Sequence, residues 1–145
     1  MKNILVTIDF DVNTSILLDC ATNLAIAFNA KIWLMHIAPP NSNFVGYELG
    51  PQYIKVFKTN ELKDEHIFLH ATSKEIKLKG IDVEEILIQG PTIEMIIKES
   101  QKLEVDMIIA GHHTHGFLYN AFVGSVSTDI IKESKIPVLI IPLDK

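Results

Sequence analysis

Short apolar runs alternate along this chain with polar stretches whose apolar residues recur at helical spacing. Asn3 to Ile8 is a β-branched run that reads as a buried strand, ended by Asp9-Phe10-Asp11. Asn13, Thr14 and Ser15 offer helix-capping side chains, and Ile16, Leu17, Cys20, Ala21, Leu24 and Phe28 then follow a helical period. Asn29, which tolerates a left-handed turn, marks the expected stop. Lys31 to Ile37 gives a second strand, halted by Pro39-Pro40. Asn41 to Pro51 has no period and contains Gly46 and Gly50, a long connection that suits a lid or a contact surface. Asn60 to Lys79 reads as one charged surface helix closed by Gly80. Val83 to Gln89 is strand three, and Gly90-Pro91-Thr92 turns into a helix using Ile93, Ile96, Ile97 and Leu103. Asp106 to Ala110 is strand four, Val126 to Ser134 a helix, and Ile136 to Pro142 strand five.

Strands that alternate with helices throughout imply one doubly wound α/β domain over residues 1–145, its parallel sheet covered on both faces. Right-handed crossovers restrict the strand order to a few choices. In the order 3-2-1-4-5 the winding reverses between strands one and four, and the Asp9 loop faces the Gly111 loop. In the order 2-1-3-4-5 it reverses between strands one and three, and Gly90-Pro91 lines the crevice instead. Ligands in such sheets bind at the reversal, beyond the carboxyl ends of the strands. Periodicity alone leaves both orders open.

The stretch with most chemistry is Ala110 to Thr128, a strand end, a glycine-containing loop and a helix start carrying Gly124, Ser125 and Ser127. Free backbone N–H groups and the positive end of a helix dipole suit a phosphate, and glycine lets oxygens approach the backbone. A polar loop capped by serine fits the same residues.

Composition narrows the function classes. A chain of 145 residues buries roughly 70% of the surface its unfolded form exposes. A net charge of −5 with no basic cluster argues against a nucleic-acid surface. No apolar segment is long enough to span a bilayer, and no leader pattern begins the chain, so a cytoplasmic location is expected. The lone Cys20 reads as a small hydrophobe on a helix face.

The chain resembles the universal stress protein family. The resemblance rests on Lys2 to Phe10, Leu34-Met35-His36-Ile37, Ala110 to Ser127, and Ile136-Pro137-Val138-Leu139-Ile140-Ile141-Pro142. It implies the strand order 3-2-1-4-5. ATP-binding members carry Gly, two residues, Gly, nine residues, then Gly-Ser or Gly-Thr. Here Gly111 and Gly124-Ser125 match, and Thr114 stands at the middle glycine. Carried over residue by residue, the resemblance implies a site for ATP or a related adenine nucleotide at Thr7, Asp9, Ile37, Ala110, Gly111, Thr114, Gly124, Ser125, Val126 and Ser127. Asp9 and Ile37 would flank ribose and adenine, and Gly111 and the Gly124 to Ser127 turn would hold phosphates, with Mg2+ an accompanying ion. It also implies a homodimer through strand five, whose Val138, Leu139, Ile140 and Ile141 make an apolar edge.

Three function classes follow. One is a regulatory protein that acts by holding nucleotide. The second is a homodimeric interaction module whose Thr114 blocks the site. The third, ranked last for want of a general base, is a slow ATPase. No catalytic residue and no protein-held metal are assigned. Ser125 lacks a histidine–carboxylate relay and Gly-x-Ser-x-Gly is absent. His112, His113 and His115 read as loop histidines that bond phosphate, water or a partner, and His66 with His70 as a solvated helix face. Asp9 is assigned to binding, Asp11 to capping or solvation, Trp33 and Met35 to the core.

Overall fold

The computed structural model describes residues 1–10, 13–38, 63–113 and 125–144. Five strands and four helices alternate: β1 (Asn3–Thr7), α1 (Thr14–Phe28), β2 (Lys31–Ala38), α2 (Lys63–Leu78), β3 (Val83–Gln89), α3 (Thr92–Lys102), β4 (Met107–His112), α4 (Ser125–Glu133) and β5 (Val138–Pro142). The strands form one sheet in the order β3-β2-β1-β4-β5. Every pairing is parallel, with Ile4 opposite Ile32 on one side of β1 and opposite Met107 on the other.

The central strand explains its sequence. Ile4, Leu5 and Val6 are fully buried, because both faces of β1 are covered. Each such side chain contributes about 1.5–3 kcal/mol relative to exposure. Alternation sends them to opposite layers. Ile4, Val6, Ile32, Leu34 and Ile109 pack with Leu17, Ala21 and Ala25 of α1 and Leu69 and Ile76 of α2. Leu5, Met35, Ile86, Ile108 and Ala110 pack with Met95 and Ile96 of α3 and Ile130 of α4. Trp33 is partly buried against this second layer, and its Nε1 donates to Asn3 Oδ1 at 3.3 Å.

Local stops follow residue chemistry. Asn29 ends α1 in the left-handed region at φ 51°, and Gly80 follows α2 at φ 79°. Asp106, just before β4, accepts hydrogen bonds from the backbone N–H groups of Lys2 (2.6 Å) and Asn3 (2.9 Å), which ties the chain start to the sheet. Those two bonds, Lys2 first, hold its carboxyl below the usual aspartate range.

Several details differ from the periodic reading. β4 runs two residues further, through Gly111 and His112, because the long apolar β5 keeps pairing: Gly111 lies opposite Ile141 and His112 opposite Pro142. β5 begins at Val138 rather than Ile136, since the Ile136 N–H is taken by Ser134 Oγ at 3.0 Å and proline follows. Phe28, the last residue of α1, is 51% exposed rather than on its packed face. Cys20 is half-buried.

Candidate functional site

The strand order sets β1 beside β4 where the winding reverses, with Val6 opposite Ile109. Thr7 lies at the end of β1, and its hydroxyl donates to the Ile109 carbonyl over a long 3.4 Å. By alternation with Leu5, Thr7 belongs to the face covered by α3 and α4. Ile37 and Ala110 belong to that same face. Three of the sequence-assigned residues therefore line one side of the sheet at adjacent strand ends.

Asp9 follows β1 with its side chain 87% exposed. Its backbone carbonyl accepts from the Thr14 hydroxyl at 2.7 Å, which joins the strand end to the start of α1. The carboxylate itself is left toward solvent, 3.8 Å from His36 Nδ1. That nitrogen is 2.8 Å from the Ile8 carbonyl. A carbonyl only accepts, so Nδ1 carries the proton and holds the strand end. The Phe10 ring lies 4.1 Å from the His36 ring, centre to centre, and meets Phe68 edge-on at 4.9 Å.

At the end of β4 the three residues after Ala110 diverge. A Cβ on Gly111 would overlap Leu143 Cδ1 and stand 3.3 Å from Leu17 Cδ1. A side chain there would force Leu143 to shift, so packing on the α1 side favours the glycine with no appeal to a ligand. His112 turns the other way, its Nδ1 3.0 Å from Ser127 Oγ in the first turn of α4. His113 Nδ1 lies 3.2 Å from Asp144 Oδ1, beyond β5. The adjacent imidazoles are therefore drawn to α4 and to the β5 end, as successive strand side chains must be. The Leu143 N–H donates to the His112 carbonyl at 2.9 Å, which ties the segment after β5 to the end of β4.

Ser127 is 7% exposed and Val126 38%. Helix α4 begins at Ser125, and the first turn of any helix leaves N–H groups without an intrahelical partner. An acceptor-rich or anionic group placed beside it meets donors and a favourable dipole. Thr114, Gly124, His115 and Asp11 lie outside the described residues. Leu143 and Asp144 were not singled out for this corner from sequence, and His112 was read only as one of three loop histidines. Extending the strand pattern through His112 would have assigned it the face of Ala110.

The sequence model of the universal stress protein family, matched over residues 1–142, agrees with this architecture. The chain belongs to that family. Universal stress protein YxiE of Bacillus subtilis is 27% identical over 145 residues, covering 97% of this chain and 98% of the relative. Two solved structures share the fold. A universal stress protein in complex with cAMP has a TM-score of 0.73 at 19% identity, over 99% and 98% of the two chains. The Archaeoglobus fulgidus universal stress protein in complex with dAMP has a TM-score of 0.70 at 17% identity, over 97% of each. Within this family member, no helix among the described residues is long and apolar enough to cross a membrane.

Proposed function

We propose that the chain is a regulatory protein that binds an adenine nucleotide, ATP or a relative, in the crevice between the ends of β1 and β4 and acts by occupancy. The observation that carries the reading is that Thr7, Ile37 and Ala110 share, at neighbouring strand ends, the sheet face on which α4 packs, while the Asp9 carboxylate stands exposed just beyond β1, beside His36. In this reading the shared face supplies an apolar wall, Asp9 an acceptor for ribose or amine protons, and the first turn of α4 donors for phosphate. Two proteins of the same fold that hold cAMP and dAMP support the class of ligand. Gly124, Ser125 and Thr114 complete the site in this reading, and Mg2+ accompanies a polyphosphate. Mass spectrometry of small molecules released from freshly purified protein tests it: an adenine nucleotide is expected. Its absence there, with no heat on titration of ATP or AMP, overturns the reading.

A second reading has one observation in its favour. Gly111, one of the matched glycines, is favoured by packing against Leu143 and Leu17. A homodimeric interaction module of this fold, without nucleotide, would keep it for packing.

A further inference from the structure

We propose that His36 is a positioning residue of the nucleotide site: from the opposite face of the sheet it fixes the backbone on both sides of Asp9 and so aims that carboxylate at the bound nucleoside. The inference rests on the nucleotide reading above and specifies how its exposed acceptor is held in place. His36 is 7% exposed and lies in the row of Leu34 and Ala38, on the face covered by α1 and α2. Ile37 and Ala110 belong to the other face, as does Thr7 by alternation with Leu5. The imidazole therefore shares no face with the wall of the crevice and acts through other residues.

Its contacts go to the two neighbours of Asp9. Nδ1–H donates to the Ile8 carbonyl at 2.8 Å, and the Phe10 ring lies 4.1 Å from the imidazole, centre to centre. Phe68 of α2 meets Phe10 edge-on at 4.9 Å. The Ile8 N–H donates to the Met35 carbonyl at 2.8 Å, and the Thr14 hydroxyl donates to the carbonyl of Asp9 itself at 2.7 Å. The chain from Ile8 to Phe10 is thus held at each residue, while the Asp9 side chain stays 87% exposed. At 3.8 Å from Nδ1 the carboxylate is beyond hydrogen-bond range, and the Nδ1 proton is already committed to Ile8. Its oxygens keep their lone pairs for hydroxyl or amine protons of a ligand. Ordering a loose strand end on binding would subtract backbone entropy from affinity, and a chain already fixed escapes that loss.

The test is calorimetric titration of AMP into the full chain and its variants, with amide hydrogen exchange followed by NMR. His36→Leu should weaken AMP roughly tenfold although Asp9 is still present. Exchange at the Asp9 and Phe10 amides should quicken in that variant, while the amides of β3 and β5 keep their native rates. His36→Asn, whose amide nitrogen takes the place of Nδ1, should recover most of the AMP affinity and the slow exchange. Phe10→Leu makes the same comparison from the other neighbour of Asp9, should His36→Leu fold poorly. Native AMP affinity in both His36→Leu and Phe10→Leu overturns the inference and leaves the nucleotide site standing. Lost affinity with faster exchange throughout the sheet, or with no recovery by His36→Asn, makes the histidine a packing residue and also overturns it. If the native chain binds no AMP, this inference falls together with the nucleotide reading.

Discussion

Leu143 fills the space that a side chain on Gly111 would need, so the segment after β5 and the end of β4 specify each other. Gly111→Ala should therefore destabilise the protein by about 1–3 kcal/mol through overpacking. In a Leu143→Ala background the same substitution should cost much less, because the overlapping methyl is gone. Urea denaturation of the four proteins checks this. An equal cost in both backgrounds would remove Leu143 as the reason for the glycine.

Asp9 stands apart from the core, with its side chain 87% exposed, its carboxylate 3.8 Å from His36 Nδ1 and its backbone carbonyl engaged by Thr14. Asp9→Ala should change the stability of the free protein by no more than about 0.5 kcal/mol. It should abolish any rise in melting temperature caused by nucleotide. Undiminished stabilisation by ATP would move the binding site away from the β1 end.

β5 is one edge of the sheet, and its Val138, Leu139, Ile140 and Ile141 are all partly exposed. A flat apolar edge favours pairing with a second chain. We expect a homodimer through this strand, and Ile140→Lys should give a folded monomer in light scattering with its circular dichroism retained. A well-folded variant that stays dimeric would place the contact elsewhere.

Asp106 gives a pH signature. Its carboxyl is held low by the N–H groups of Lys2 and Asn3. A group whose folded-state pKa is depressed stabilises the fold above its unfolded value, near 3.9, and loses that contribution as pH falls through the folded value. The stability difference between native protein and Asp106→Ala should thus be constant above about pH 5 and shrink below about pH 4. Chemical denaturation across that range measures it. A gap that persists unchanged in strong acid would show that the carboxylate's charge is not what acts.

Thr114 stands where ATP-binding relatives of the resembling pattern carry glycine. Thr114→Gly should tighten ATP binding, with each recovered phosphate hydrogen bond contributing roughly 1.5–3 kcal/mol, and Gly124→Val should abolish it. Calorimetry distinguishes the outcomes. Weaker binding by Thr114→Gly would make the threonine hydroxyl a phosphate ligand and overturn the steric account.

The alternation of β-branched runs with helical periods determined, without coordinates, the element types, the parallel sheet and the two-sided burial. It could do so because burial on one or both faces is a local property, written in the spacing of apolar residues. Asn29 and Gly80 were legible for the same reason: each ends its helix by its own backbone preference. Periodicity left two strand orders open, and the family resemblance implied the one found.

What only the tertiary structure decided lies between residues distant in the chain. The helical period included Phe28, yet no second layer covers that turn and the ring is exposed. Gly111 suggested close approach of a phosphate, but its nearest neighbours are side chains from α1 and from beyond β5. His112 and His113 looked like one cluster in sequence. Pairing with β5 carried β4 through His112, and alternation at the strand end then drew His112 to Ser127 and His113 to Asp144. Neither partner could be named from spacing, because sequence periodicity records which face a residue takes and not what another element brings to that face.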